Sequence, residues 1–301
     1  MTAIEPELIE RIERAVGRRV VAWEAATGGG YTHIRRLIVH FADGSTAFAK
    51  IAVDELTAGW LRDEISVYRR VRGPYLPALL GADDGDPPLL VIEDLRLGHW
   101  PPPWRPGDVA RVLEMLVKVH ATEPPLDLRT LEELELLSVE WQRVAEEPEP
   151  FLTLGLCTRA WLEAALPTLL AAEAGVDLAG NDFCHLDVRS DNICLLNGRT
   201  VLIDWNNACR GNGEIDLLGW LPSLHLEGGP LPDEVAPDAD PRLVAKLAGY
   251  WAWRAPLPVP PTAPRVREIQ KRQLEVVLPW AARRLGLPPP DGSDELSAGN
   301  L

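Results

Sequence analysis

The chain has 301 residues, with 45 acidic and 30 basic side chains and a formal net charge of −15. The length exceeds a common single-domain core, so two lobes are expected, and 46% apolar with 25% charged residues excludes disorder throughout. The acidity excludes a nucleic-acid backbone as the main partner, and no apolar run approaches the roughly 20 residues of a membrane span. The polar start is no signal peptide, and Cys157, Cys184, Cys194 and Cys209 form no CxxC pair, so a cytoplasmic protein with reduced thiols is expected.

In chain order, Ile9, Ile12 and Val16 predict a short amphipathic helix over 5–19. Strands follow over 20–26, 32–41 and 45–53, with Thr27-Gly28-Gly29-Gly30-Tyr31 between the first two and Asp43-Gly44 as a turn. A helix over 54–71 and strands over 78–82 and 89–93 complete a β-β-β-α-β-β order. Beyond Asp94 strands become scarce. Helices are predicted over 108–122, with Asp108 as N-cap, and over 130–145, 158–174, 214–225, 241–253 and 266–285. A hairpin around Asn197-Gly198 joins 192–196 to 200–203, a proline-rich spacer covers 256–264, and a frayed tail covers 288–301. The expected division is therefore 1–94, a small sheet lobe, and 95–301, a larger helical one.

The strongest chemical signal is His185-Leu186-Asp187-Val188-Arg189-Ser190-Asp191-Asn192, followed after the hairpin by Ile203-Asp204-Trp205. Asn192 and Asp204 offer hard oxygen ligands of the kind Mg²⁺ takes, and Asp187 is then available to orient a hydroxyl nucleophile and accept its proton. Protein kinases divide the work in this way.

This pattern resembles the aminoglycoside phosphotransferase/choline kinase family of small-molecule kinases. The family often has glycine after the histidine and a His-Pro-Gly run before the asparagine, where this chain has Leu186 and Arg189-Ser190-Asp191; Asn206 stands where Glu is frequent. The resemblance implies an α+β, bilobal protein-kinase-like fold. It also implies a Mg²⁺-dependent enzyme that moves the γ-phosphoryl group of ATP or GTP to a hydroxyl of a small molecule. Asp187 is the catalytic residue and Asn192 and Asp204 hold the metal. Gly28, Gly29, Gly30, Tyr31 and Thr32 form a phosphate-facing loop, although a flexible hairpin loop accounts for three glycines equally well. Lys50 takes the α- and β-phosphates and is anchored by a carboxylate of the next helix. At 100° per residue Glu64 lies about 60° from Leu61 on the apolar face, whereas Asp63 lies about 160° away, so Glu64 is the expected anchor. Ile92, Glu93 and Leu95 are expected to meet the base, the latter two through main-chain atoms. His185 and Asp216 are expected to brace the catalytic loop.

Acceptors in such a family include aminoglycosides, choline, macrolides and sugars, and antibiotic resistance is only one outcome. Residues 1–94 carry 11 basic and 15 acidic groups and residues 95–301 carry 19 and 30, so the excess of −11 tilts the expected acceptor toward an amine. A neutral acceptor and a nucleotide-binding regulatory pseudokinase are the alternatives. Trp141, Trp220, Trp251 and Trp253 are candidate walls of the acceptor pocket, and the stretch 227–234 with Asp238 and Asp240 is a candidate acidic mouth. The sequence does not specify an oligomeric state.

Overall fold

The computed structural model describes residues 6–26, 34–134, 139–260 and 263–291. The chain forms two compact units: residues 1–128 with 190–208, and residues 129–189 with 209–301.

The first unit is built on an antiparallel sheet of five strands, β1 (Val20–Ala25), β2 (Arg35–Phe41), β3 (Thr46–Ile51), β4 (Leu79–Asp83) and β5 (Leu89–Glu93), in the order β1-β2-β3-β5-β4. Successive side chains alternate between faces, and the sequence uses both faces for different purposes. Leu37, Val39, Ala47, Ala49, Ile51, Leu89 and Val91 form one face and pack with Leu8 and Ile12 of helix α1 (Pro6–Val16). Gly81 lets β4 approach that helix, since a Cβ there would stand 2.4 Å from the Ala15 carbonyl oxygen. The opposite face carries Arg36, Ile38, Phe48, Lys50 and Ile92 and lines a cavity of about 600 Å³.

Helix α2 (Glu55–Arg70) starts at Asp54, whose carboxylate accepts the Thr57 N–H at 2.8 Å, while the Thr57 hydroxyl accepts the Asp54 N–H at 3.1 Å; this reciprocal cap fixes the helix start. Helix α3 (Asp108–His120) begins one residue earlier than an N-cap at Asp108 requires. Gly107, at φ 87°, is the N-cap, and Asp108 is the first helical residue, buried, accepting the Arg105 N–H at 2.8 Å.

The compact units are not parted at Asp94. Residues 190–208 return to the first unit as a hairpin, β7 (Ile193–Leu196) and β8 (Arg199–Leu202). His99 bridges Leu195, and Leu95, Cys194 and Val201 share a small core.

In the second unit, α4 (Glu140–Glu146), α6 (Arg159–Ala174), α7 (Glu214–Leu226), α9 (Pro241–Arg254) and α10 (Val266–Arg284) pack together, beside short helices α5 (Pro148–Leu152) and α8 (Pro232–Val235). A two-stranded ladder, β6 (Asp182–Cys184) with β9 (Cys209–Gly211), is an element the sequence reading lacks; three residues per strand are too few to show a period. Within the helix expected over 130–145 the described residues hold a 3₁₀ turn at Glu132–Leu134, where the Glu133 carboxylate accepts the Thr130 N–H, and then α4; residues 135–138 lie outside the described residues. Trp141, Trp220 and Trp251 are buried core residues rather than pocket walls, and Trp253 carries the Arg143 guanidinium over its ring. The expected acidic mouth is also overturned at two of its carboxylates: Asp233 is held by Trp280 and Arg283, and Asp240 caps α9 and pairs with Arg242. Nor do residues 288–291 fray, since the Pro288 carbonyl accepts the Trp161 indole N–H and Asp291 accepts the Thr158 hydroxyl. No helix among the described residues is long and apolar enough to cross a membrane.

Candidate active site

In the first unit the candidate site is assembled on the cavity face of the sheet. Lys50 is almost wholly buried, 4% exposed, in the middle of β3. Its ammonium donates to both Glu64 oxygens at 2.9 Å and to Asp204 Oδ1 at 2.7 Å. Burial works against the charge on Lys50, but Asp204 and Glu64 outweigh it and hold the ammonium above its ordinary lysine value. Glu64 is 2% exposed, while Asp63 points to solvent, as the helical angles require. Burial, with the charge of Asp204 added, pushes the Glu64 carboxyl above its ordinary range. One turn further along α2, Tyr68 is buried too; burial and the carboxylates of Glu64 and Asp204 push its hydroxyl well above the usual phenol range, so it stays protonated.

Asp204 reaches Lys50 because of the β7–β8 register. Ile193 pairs with Leu202, and the next bond outward joins the Ile203 N–H to the Asn192 carbonyl at 3.0 Å. Asn192 and Asp204 therefore leave the same end of one hairpin and both line the cavity. Asp204 adopts a left-handed backbone, φ 72° and ψ 55°, at the head of the 3₁₀ turn Trp205–Asn207, which lies against α2. Trp205 anchors that turn: it is fully buried and its indole N–H donates to the Leu202 carbonyl at 2.8 Å. A non-glycine residue held in this region stores strain that the surrounding contacts must overcome.

Ile92, Glu93 and Leu95 all line the same cavity. The Glu93 carboxylate pairs with Arg199 and its N–H donates to the Ala78 carbonyl; the Leu95 carbonyl accepts the Gly98 N–H. Gly28, Gly29, Gly30, Tyr31 and Thr32 lie outside the described residues.

Asp187 belongs to the second unit. Its loop is built on Asp216, nearly buried at the start of α7, whose two oxygens accept the His185 N–H at 2.8 Å and the Leu186 N–H at 2.7 Å. His185 is wholly buried, and its Nδ1 accepts the Asp187 N–H at 3.2 Å. Leu186 stands at φ 63°, a backbone that favours glycine, and the two bonds from Asp216 hold it there. Arg189 Nε lies 3.2 Å from Asp187 Oδ1.

Residues 30–257 match the APH family model, described as a phosphotransferase enzyme family. The chain belongs to that family. No curated protein matches it. Its fold is shared with solved structures at low identity. A thermostable mutant of aminoglycoside phosphotransferase APH(4)-Ia, in ternary complex with ADP and hygromycin B, is 16% identical over 99% of this chain and 100% of that one, with a TM-score of 0.58. A choline/ethanolamine kinase family protein from Mesorhizobium loti is 16% identical over 88% and 92%, with a TM-score of 0.56. An aminoglycoside phosphotransferase from Alicyclobacillus acidocaldarius is 14% identical over 95% and 96%, with a TM-score of 0.57. The α+β protein-kinase-like fold and the phosphotransferase family expected from the sequence are thus both found.

The site suits the divalent ion such phosphotransferases use. The cavity is lined by three cationic side chains, Arg36, Lys50 and Arg96, and five carboxylates, Glu24, Glu93, Asp94, Asp191 and Asp204, so a polyphosphate entering it needs positive charge from elsewhere. Among the described residues no group of three or more His, Cys, Asp or Glu forms a metal cage. Mg²⁺ does not need one, because one or two protein oxygens suffice when phosphate and water complete its shell. Asn192 and Asp204 are the lining oxygen donors that could hold such an ion. Two residues of this site escaped the sequence reading: Arg36 and Tyr68. Alternation along β2 puts Arg36 on the face of Ile38, and i, i+4 spacing puts Tyr68 over Glu64; either pattern was available to find them.

Proposed function

We propose that this phosphotransferase moves the γ-phosphoryl group of ATP, or GTP, to a hydroxyl of a small molecule. The observation that carries the reading is the buried Lys50–Glu64–Asp204 cluster, which fixes a cation and a candidate metal ligand against one cavity. In this reading residues 1–94, together with Leu95, Asn192 and Asp204, supply the nucleotide-binding elements, and the rest of residues 95–301 the acceptor-binding ones. The apolar side chains Ile38, Phe48 and Ile92 on the cavity face enclose the base, and the Glu93 carbonyl and Leu95 N–H meet its edge. Lys50, pinned by Glu64, presents its ammonium to the α- and β-phosphates. Asn192 and Asp204 hold Mg²⁺, which when bound neutralises phosphate charge. Asp187 orients the acceptor hydroxyl and takes its proton, and Asp216 and His185 keep its backbone in place. Positioning and charge compensation, rather than covalent chemistry, account for the rate in such a reaction. The reading places the protein in the cytoplasm, with its donor nucleotide.

The excess of −11 over residues 95–301 favours an amine-bearing acceptor such as an aminoglycoside. A specific observation favours a second reading, a neutral or acid-bearing acceptor. Arg189 sits beside Asp187, and the Tyr250 hydroxyl lies in the field of Arg254, Asp187, Glu140 and Arg267, so guanidinium groups are prominent near the proposed base. Screening confines charge effects to about 8 Å at physiological salt, which gives these near groups more weight than the distant excess.

The test is transfer from labelled ATP to a panel of aminoglycosides, choline-like amines, sugars, macrolides and hydroxy acids, with Asp187→Asn as the control. The variant should lose at least about a hundredfold in turnover, the scale of general-base catalysis, while binding ATP normally. Near-normal turnover in Asp187→Asn would remove Asp187 from its role. ATP binding with no transfer to any acceptor would favour a regulatory pseudokinase.

A further inference from the structure

Glu93 and Leu95 both line the cavity, but their main-chain carbonyls are treated oppositely. Just beyond the β4–β5 ladder the Glu93 N–H donates to the Ala78 carbonyl at 2.9 Å. A hydrogen-bonded antiparallel pair exchanges two such bonds, so the Ala78 N–H would return to the Glu93 carbonyl. It goes instead to the Glu93 carboxylate, at 3.1 Å, and Arg199 holds that carboxylate from β8. The side chain thus takes the donor that the main-chain carbonyl would otherwise receive. At Leu95 the reverse holds. Its carbonyl accepts the Gly98 N–H at 2.9 Å, the Trp100 indole N–H at 3.3 Å and the Cys194 thiol at 3.6 Å. Burial, with the charge of Glu93 added, pushes that thiol up to about 12, so it remains an S–H donor. Gly98 makes the crowding possible, because a Cβ there would stand 2.1 Å from the Cys194 sulfur. A carbonyl oxygen has two lone pairs, and three donors exhaust them.

We propose that Glu93, Trp100 and Cys194 select an adenine over a guanine nucleotide, by sparing the Glu93 carbonyl as an acceptor and withholding that of Leu95. The proposal rests on the nucleotide-site reading above and decides between the two donors it names. Adenine presents an amino donor beside a ring-nitrogen acceptor, which the Glu93 carbonyl and the Leu95 N–H complement. Guanine presents the opposite pair, an oxygen acceptor beside a ring N–H, and then a second, amino donor. In adenine's place it sets acceptor against acceptor and donor against donor. Shifted by one group, its oxygen meets the Leu95 N–H, but its two donors then need the Leu95 carbonyl. Turning the base over matches one pair but moves the glycosidic bond to the opposite side, so the triphosphate no longer starts where adenine's does. With the Leu95 oxygen taken, guanine's donors enter the cavity unpaired, and a site rejects a ligand whose polar groups it leaves unpaired.

The test is calorimetric titration of the full chain by ATP and by GTP, with Mg²⁺ present, read as the ratio of the GTP to the ATP dissociation constant. Wild type should show a ratio on the order of ten to a hundred, the weight of one or two unpaired donors. Each variant is checked for folding by its melting curve. Trp100→Phe/Cys194→Ala withdraws two donors from the Leu95 carbonyl and should lower the ratio about tenfold. If it does not fold, Trp100→Phe alone, which withdraws the stronger donor, is read in the same direction. Glu93→Ala frees the Ala78 N–H to take the main-chain carbonyl at 93, and should lower the ratio about tenfold by weakening ATP. Glu93→Gln keeps an acceptor oxygen for Ala78 and should hold the ratio within about threefold of wild type. A wild type that binds GTP as tightly as ATP overturns the proposal. So does a ratio unchanged by freeing the Leu95 carbonyl or by Glu93→Ala, or a Glu93→Gln no better than Glu93→Ala. A wild type that binds neither nucleotide overturns the nucleotide reading together with it.

Discussion

Replacing Lys50 by Met removes one ammonium from between two carboxylates, and the structure says which of them suffers. Asp204 has a side chain 30% exposed and can be hydrated; Glu64, at 3%, cannot. Breaking a buried pair from one side costs about 3–5 kcal/mol because the remaining charge is stranded. Glu64 escapes that cost only by taking a proton, which burial already favours. The folded variant then binds more protons than the unfolded chain above the ordinary glutamate value of 4.5. Its stability therefore falls as pH rises from there through the raised folded value, by up to about 1.4 kcal/mol per pH unit. Urea unfolding at pH 5 and pH 8 measures this: Lys50→Met should be about 3–5 kcal/mol less stable than wild type at pH 8, with most of the loss recovered at pH 5. Lys50→Met/Glu64→Gln should return to within about 1–2 kcal/mol of wild type at both, since nothing charged is then left buried. That double variant should remain inactive, which separates the cluster's contribution to stability from its proposed role in turnover. A pH-independent loss in Lys50→Met, not relieved in the double variant, would show that Glu64 does not depend on Lys50.

Two further outcomes follow from the backbone and the sheet edge. Leu186→Gly should lie within about 1 kcal/mol of wild type, the relief at φ 63° offsetting glycine's extra freedom when unfolded, whereas Leu186→Val should cost about 1–2 kcal/mol; melting temperatures rank the three. The hydrogen bond from Arg11 holds the Asp83 carboxyl below its ordinary value of 3.8, so its contribution is present above that pH and is lost as pH falls through the depressed folded value. Asp83→Asn should cost about 0.5–1 kcal/mol near neutrality and nothing in strong acid, as acid unfolding curves of the two proteins would show.

The parts of the site legible in the sequence are those set by local periodicity. The 100° helical step singled out Glu64 over Asp63, and the Asn197-Gly198 turn placed Asn192 and Asp204 at one end of a hairpin. The Lys50–Asp204 bond was not legible, because it joins residues 154 apart and depends on where the hairpin docks. Asp108 looked like a cap by residue type, but a left-handed Gly107 does that work without a side-chain signal. The acidic stretch from 227 read as a candidate acidic mouth; long-range partners such as Arg283 and Trp280 instead hold Asp233, and composition carries no trace of them. Arg36 was not singled out, although alternation along β2 puts it on the cavity face with Ile38 and its register sets it opposite Lys50.

The interrupted course of the first unit bears on how the protein is made. During synthesis the sheet and α3 leave the ribosome long before residues 190–208, with the whole 129–189 segment to be delivered in between. Until then the nascent chain presents Leu95 without Cys194 and Val201, and Lys50 with Glu64 but not Asp204. The unit thus matures in two stages, and its candidate metal ligands arrive only with the second. A fragment ending at residue 128 would keep the strands and lose the chemistry, so donor binding is not a separable module of this chain.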